Sequence, residues 1–182
     1  MTPIRAPDAP LTDGVVTLRL PAEGDVAAIE RGIADPDVVR WLGRQDLSGK
    51  AVLELNRDRW REGRGATLAV CDHAGRCVGH VWVNLSDPRH GSVGYWLLPE
   101  ARGQGWATRS VRLLSTWALA ELGLVRLQLL TEPANLASQR VAERSGFQRE
   151  GVLRSYAEID GRDVDYVVFS LRPGDLGNME ER

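Results

Sequence analysis

The chain reads as an α/β protein of the α+β kind, a mixed and mostly antiparallel sheet with a central parallel strand pair flanked by helices. Three observations predict it. Ala66–Cys71, Cys77–Leu85 and Gly91–Leu98 are successive β-rich runs, the first two joined by Asp72-His73-Ala74-Gly75-Arg76, a glycine-bearing hairpin connection. A helix-period segment over about Ala107–Leu122 separates Gly91–Leu98 from a short run at Val125–Thr131, and a crossover of that length makes the two strands parallel. Asp160-Gly161 marks a tight hairpin before the returning strand Val164–Leu171.

In chain order, residues 1–14 form a proline-rich leader expected to be mobile, and Val15–Leu20 alternates as a first strand. Ala22–Ile33 carries Val26, Ile29 and Ile33 at helical spacing. Asp35 can cap a second helix with Pro36 at its first position, leading into Val38, Val39, Trp41 and Leu42. Ser48 can cap a third, bearing Val52, Leu55 and Trp60. Both tryptophans fit a core; helices placed ahead of a sheet also shape substrate sites, which makes Trp41 a candidate pocket wall. Val111, Leu114, Ala118 and Leu122 share one face of the helix that stops at Gly123, and Asn135–Ser145 is a further helix ending at Gly146. Phe147 opens a run through Tyr156. A single domain is expected over 15–172, with 173–182 a disordered tail.

Composition narrows the function. With 182 residues, 43% hydrophobic and 26% charged, the chain can bury its own core, and a formal net charge of −2 gives no general attraction to nucleic acid or to an anionic membrane. No run reaches the ~18 apolar residues of a membrane span, and the N-terminus lacks the apolar segment of a signal peptide, so a cytoplasmic protein is expected. Cys71 and Cys77 have no His or Cys companions for a metal site; buried or free thiols are expected, and no metal.

The most informative stretch is Gly94-Tyr-Trp-Leu-Leu-Pro-Glu-Ala-Arg-Gly-Gln-Gly-Trp-Ala-Thr108, where a strand ends at Pro99, a loop carries Arg102, Gly103 and Gly105, and a helix opens near Ala107. A glycine-bearing loop that becomes the first turn of a helix leaves several backbone N–H groups pointing one way, at the positive end of the helix dipole. Such a cradle suits a pyrophosphate. A strand-to-helix turn with no ligand is the plainer reading. Two rival phosphate loops fail on the same residues: the chain's only lysine is Lys50, far from any Walker loop, and Thr108 stands where a dinucleotide loop needs its third glycine.

Arg102-x-x-Gly105-x-Ala107 fits the signature of the GNAT acyl-CoA N-acyltransferases. The Gly94–Thr108 block, Asn135-x-x-Ser138-x-x-x-x-Glu143-x-x-Gly146-Phe147, Glu150-Gly151-x-Leu153-Arg154 and Gly161-x-x-x-Asp165 resemble the RimJ/RimL type, the ribosomal-protein N-terminal acetyltransferases and their small-molecule-acetylating relatives. The resemblance spans about Val15 to Leu171. It implies that the central parallel strands splay apart and that acetyl-CoA lies in the gap. Backbone groups of Trp96, Leu97 and Leu98 would then pair with the pantetheine arm, and the pyrophosphate would sit on Arg102, Gly103, Gln104, Gly105, Trp106, Ala107 and Thr108. Arg102 is otherwise a solvated loop arginine. Asn135 would meet the pantetheine or cap its own helix. Ser138 would lie near the CoA sulfur and assist thiolate departure, or be no more than a small residue under a crowded strand; the tyrosine of the general GNAT pattern falls at Ala142.

The chemistry implied is direct attack of a neutral amine on the thioester, with no metal and no covalent enzyme intermediate. The family glutamate two residues before Gly94 is Ser92 here, a substrate-pocket residue with no basicity of its own. Asp87, His90, Glu132 and Glu158 are the candidate bases through ordered water. The amine, a protein N-terminus or an aminoglycoside-like, polyamine-like or amino-acid amine, is not named by the sequence, and neither is the acyl chain or the oligomer, for which a homodimer stays open. The alternative is a catalytically silent acyl-CoA-binding domain acting as sensor or interaction module.

Overall fold

Eight strands, β1 (Leu11–Thr12), β2 (Thr17–Arg19), β3 (Gly65–Cys71), β4 (Cys77–Asp87), β5 (His90–Leu97), β6 (Arg126–Thr131), β7 (Gln148–Ile159) and β8 (Arg162–Leu171), form one sheet in the order β1-β2-β3-β4-β5-β6-β8-β7. The structure is a computed structural model describing residues 3–179. The helices are α1 (Val26–Ala34), α2 (Pro36–Leu42), α3 (Gly49–Arg61), α4 (Trp106–Glu121) and α5 (Leu136–Arg144). Neighbouring strands are antiparallel except β5 and β6, which run parallel over only three pairs, His90 with Arg126, Gly91 with Leu127 and Ser92 with Gln128.

Beyond Ser92 the two strands part because each is claimed by its outer neighbour. β5 stays paired with β4 as far as Leu97 opposite Gly79, and β6 with β8 as far as Thr131 opposite Val167. The inner edges from residues 93 and 129 onward therefore have no strand between them. The two halves remain one body through the core: Val83 and Val93 from one side and Leu127, Leu129 and Phe169 from the other are buried together with Val111, Leu114 and Ala118 of α4. Trp60 of α3 extends that core to Trp117 of α4, ring centroids 5.8 Å apart, and its Nε1 donates to the Thr67 carbonyl.

Local chemistry sets the element ends. Asp35 accepts from the amides of Asp37 and Val38 with Pro36 at the first helical position, Ser48 accepts from Ala51, and Asn135 from Ser138. Asp160 (φ 48°) and Gly161 (φ 74°) make the turn between β7 and β8 with both residues left-handed, as Asp-Gly predicts. A bulge in β7 places Ser155 at φ 45°, and the Asp165 carboxylate accepts its amide at 2.8 Å. Glu150 ties three strands together: both its oxygens take the Arg126 guanidinium at 2.7 and 2.6 Å and one takes the Ser170 hydroxyl at 2.6 Å. Those contacts hold its carboxyl down at about 2.

Three expectations need correcting. The sequence places no strand before Val15, yet Leu11 and Thr12 pair with Leu18 and Thr17, and Ile4, Ala6 and Leu11 rest on the core. A two-residue strand is too short to show alternation. The first strand itself is shorter than Val15–Leu20, since Pro21 cannot donate to a ladder. Pro173–Met179 is a 3-10 helix rather than a disordered segment, with Asp175 buried and accepting from Gln148 Nε2 and the Arg172 amide; residues 180–182 of the expected tail lie outside the described residues. Cys71 and Cys77 are free, buried, and opposite one another across β3 and β4.

The front of the sheet is held by Asp25, 4% exposed, whose carboxylate receives Arg19 twice at 2.7 Å and the Ala22 amide at 2.8 Å. Burial raises its carboxyl, but these donors outweigh burial and leave it below the ordinary carboxylate value. A carboxyl depressed on folding contributes stability that is present above its unfolded pKa, about 3.9, and lost as pH falls through its folded value. Asp25→Asn is expected to cost about 3 kcal/mol at pH 7, the loss typical of a broken buried pair. The gap between variant and wild type should shrink below about pH 4. Urea unfolding at the two pH values measures this; an equal gap at both would contradict it.

Candidate active site

The parting strands open a cleft of about 740 Å³. One wall is β5 from Ser92 to Leu97, the facing wall runs from Leu129 along β6 to Asn135 and Ser138 of α5, the floor is Gly103 and Gly105–Thr108, and Val38, Trp41 and Leu42 of α2 close the side. Trp41 and Ser92 thus line the cleft.

The loop presents donors as its sequence suggests. Gly103 (φ 74°) and Gly105 (φ 77°) are left-handed, and a Cβ built on either would meet nothing within 4 Å. The bend is what requires glycine, and the space beside it is open. The first helical hydrogen bond of α4 runs from the Arg109 amide to the Gly105 carbonyl at 3.1 Å. The amides of Trp106, Ala107 and Thr108 therefore precede it, as orphan donors at the positive end of a 16-residue helix. Arg102 is different: its amide donates to the Pro99 carbonyl at 3.1 Å, so the run of free donors starts after it.

The Arg102 side chain lines the cleft and is engaged by three partners within the protein. Its Nε donates to the Leu97 carbonyl at 3.0 Å, Nη2 to Asp35 at 2.7 Å and Nη1 to Asp37 at 2.8 Å. It clamps the first turn of α2 to the end of β5. Burial raises the Asp35 carboxyl, but Arg102 and the two cap amides outweigh it and hold the group low. Gln104 turns its side-chain amide to the Glu100 carbonyl at 2.7 Å, which secures the loop but keeps that side chain off the cleft wall.

Along β5 the hydrogen-bonding direction alternates. The Leu98 amide donates to the Val78 carbonyl at 2.8 Å, so even-numbered residues face β4 and the backbone groups of Tyr95 and the N–H of Leu97 face the gap, the Leu97 carbonyl being taken by Arg102. Trp96 and Leu98 are instead side-chain anchors packed with Val38. The Trp96 ring leaves no room for a Cβ on Gly32 and lies 5.1 Å from buried His80, whose imidazole burial drops to about 4 and so keeps neutral. Leu98, expected beside the pantetheine arm, does not line the cleft, whereas Tyr95 does. The ladder register that decides this is not visible in a strand's own sequence.

Tyr95 points across to α5. Burial raises its phenol above the usual tyrosine value, partly offset by the Ser138 hydroxyl beside it, so both groups are neutral hydrogen-bond formers near neutral pH. Asn135 is a helix cap through Oδ1, 3.0 Å from the Ser138 amide, and that bond turns its Nδ2 group away from the helix. Arg140 and Arg144 of α5 also line the cleft and add positive charge near the loop. A helix-surface arginine has no distinguishing sequence signal.

The candidate bases separate. Asp87 and His90 pair with each other at 2.8 Å at the turn that starts β5 and are not among the cleft-lining residues; nor is exposed Glu158 of β7. Glu132, immediately after β6, lines the cleft with Tyr166. Among the described residues no three His, Cys, Asp or Glu side chains gather as for a metal ion, and no helix is long and apolar enough to cross a membrane.

Comparison with known proteins agrees with this geometry. The family pattern for the acetyltransferase (GNAT) domain matches residues 16–148. An uncharacterized N-acetyltransferase, p20 of Bacillus licheniformis, is 27% identical over 163 residues, covering 86% of this chain and 92% of that one. The putative ribosomal N-acetyltransferase YdaF of Bacillus subtilis is 37% identical over 83 residues, 46% of this chain and 45% of that one. Among solved structures, Mycobacterium smegmatis RimJ in complex with CoA-disulfide superposes with a TM-score of 0.80 at 25% identity, covering 92% of this chain and 88% of that one.

If Arg102 is a clamp, Arg102→Met should loosen α2 without unfolding the sheet. Amide hydrogen exchange at residues 38–42 is expected to quicken about tenfold, the equivalent of losing one charged hydrogen bond, with β4 and β8 unchanged. Uniform change across the protein, or none, would show that the clamp does not set this element.

Proposed function

We propose that this chain, which belongs to the GNAT acetyltransferase family, holds acetyl-CoA in the cleft between β5 and β6 and passes the acetyl group directly to a primary amine. The observation that carries this reading is the continuity of two donor sets. The gap-facing edge of β5 leads straight into the free amides at the start of α4, an extended groove ending in an anion cradle. A pantetheine arm is a chain of amides, and a strand edge pairs with amides as it would with another strand. The orphan amides of Trp106, Ala107 and Thr108 fit the pyrophosphate, with Arg140 and Arg144 as neighbouring cations.

Residues at the other end of the groove supply the chemistry. The gap-facing backbone N–H groups of β5 can polarise a thioester carbonyl, and being fixed in a strand they need no reorganisation as charge develops on it. The Tyr95 and Ser138 hydroxyls lie together, and either can donate to the departing sulfur. Asn135 holds Ser138 in place through its amide. Ser92 sits at the branch point where pairing stops, as wall and not as base. The amine enters from the α2 side, past Trp41.

Gly105→Glu would put a carboxylate into the open space above the cradle and force a side chain onto φ 77°. Calorimetry with acetyl-CoA is expected to show no binding by the folded variant; unchanged affinity would contradict the assignment of the loop. Ser138→Ala is expected to lower kcat about tenfold or more with little change in KM, since hydrogen bonding to a departing thiolate is a transition-state interaction. A raised KM at constant kcat would make Ser138 a binding residue only.

A further inference from the structure

Glu132 stands where β6 has already left β5, and its nearly buried carboxylate has one ion-pair partner, Arg162, and no hydrogen-bond donor on Oε1 among the described residues. Its side chain is 13% exposed, and Oε1 is fully covered with no hydrogen-bond partner among the described residues. Arg162 Nη2 forms an ion pair with it at 3.6 Å from an exposed side chain, too long for a direct hydrogen bond. A covered carboxylate oxygen lacking a donor is costly. Glu132 also lines the cleft, where a ligand can bring a donor to its carboxylate.

Its surroundings say what kind of donor. Side chains alternate along β6, so Gln128, Leu130 and Glu132 share the face on which Gln128 meets Ser92. Tyr95 and Ser138 approach the gap from the opposite, α4-packed face. The same cleft is lined by Trp41 and Leu42 of α2, Trp82 of β4 and Tyr166 of β8. Burial raises the Tyr166 phenol, and the Glu132 carboxylate beside it adds to the rise. Asp37, the other acid of the lining, is held by Arg102 at 2.8 Å, which leaves Glu132 as the acid with an oxygen lacking a donor; behind aromatic and aliphatic walls it fits a single ammonium on an apolar stem.

We propose, resting on the reading of the cleft as an acetyl-CoA-dependent N-acetyltransferase site, that Glu132 is the catalytic residue that receives the acceptor ammonium and takes its proton. The nitrogen attacks the acetyl carbon; the N–C bond forms and the C–S bond breaks. Of the two protons the ammonium loses, one passes to the Glu132 carboxylate and on to solvent, and the other ends on the sulfur of the released CoA. The acceptor class is a primary amine with an apolar or aromatic group next to the nitrogen, in preference to a polycation that one carboxylate cannot satisfy.

Hexylamine is the probe, with hexanol as its uncharged counterpart. Titration with and without saturating CoA, followed by tryptophan fluorescence because Trp41 and Trp82 form the wall, is expected to saturate with hexylamine in the wild type. The affinity should fall at least tenfold in Glu132→Gln, with the response to hexanol unchanged. In turnover, Glu132→Gln should lower kcat at least about 100-fold, within the range of general acid–base catalysis, with Glu132→Asp recovering part of the loss. Acetyl-CoA affinity should be the same in all three proteins. Equal hexylamine affinity in wild type and Glu132→Gln, no saturation in the wild type, or a variant altered only in melting temperature overturns the role of Glu132. A wild type that fails to bind acetyl-CoA by calorimetry overturns the cofactor reading instead, and the hexylamine titration still decides Glu132.

Discussion

The architecture depends on a contact that stops early. β5 and β6 share three residue pairs and then separate, because β4 holds one strand and β8 the other for several residues more. Unpaired strand edges are costly when buried and hazardous when exposed, and here they face each other across a cleft wide enough for an extended ligand to pair with. The core under α4 keeps the two halves together while the edges remain apart. Fold and binding site thus arise from the same choice of strand partners.

Two devices convert that gap into an oriented site. The glycine-bearing loop ends β5 and starts α4, whose first-turn residues, with their orphan amides, line the cleft. Arg102, between them, binds the Leu97 carbonyl, Asp35 and Asp37, so that α2 on one side of the cleft is registered to β5 on the other. The capping aspartate of α2 does two jobs at once, which is why Asp35 is nearly covered although it lies at a helix start. Glu150 plays a comparable role across the sheet, tying Arg126 to Ser170.

Local signals in the sequence identify most of this fold, and distance hides the rest. Asp35-Pro36, Ser48 and Asp160-Gly161 set element ends through contacts within a few residues, and the length of the crossover helix was enough to make β5 and β6 parallel. Their splaying came from the family resemblance, since no property of either strand alone says where pairing ends. The clamp made by Arg102 has no local signal, because Asp35 and Asp37 lie more than sixty residues away in the chain. The gap-facing backbone of Tyr95 follows from the register with β4, which no residue of β5 encodes alone. Asp87, His90, Glu132 and Glu158 are equivalent as letters, and only the fold separates the one that lines the cleft.

The central claim is that the unpaired edge of β5 and the start of α4 form one binding surface. Backbone amide NMR of the labelled protein titrated with CoA tests it most directly. Shifts concentrated at residues 95–97, 103–108 and 135–138, saturating together with one affinity, are what the account predicts. Shifts confined to the loop, or strongest elsewhere with β5 silent, would contradict it.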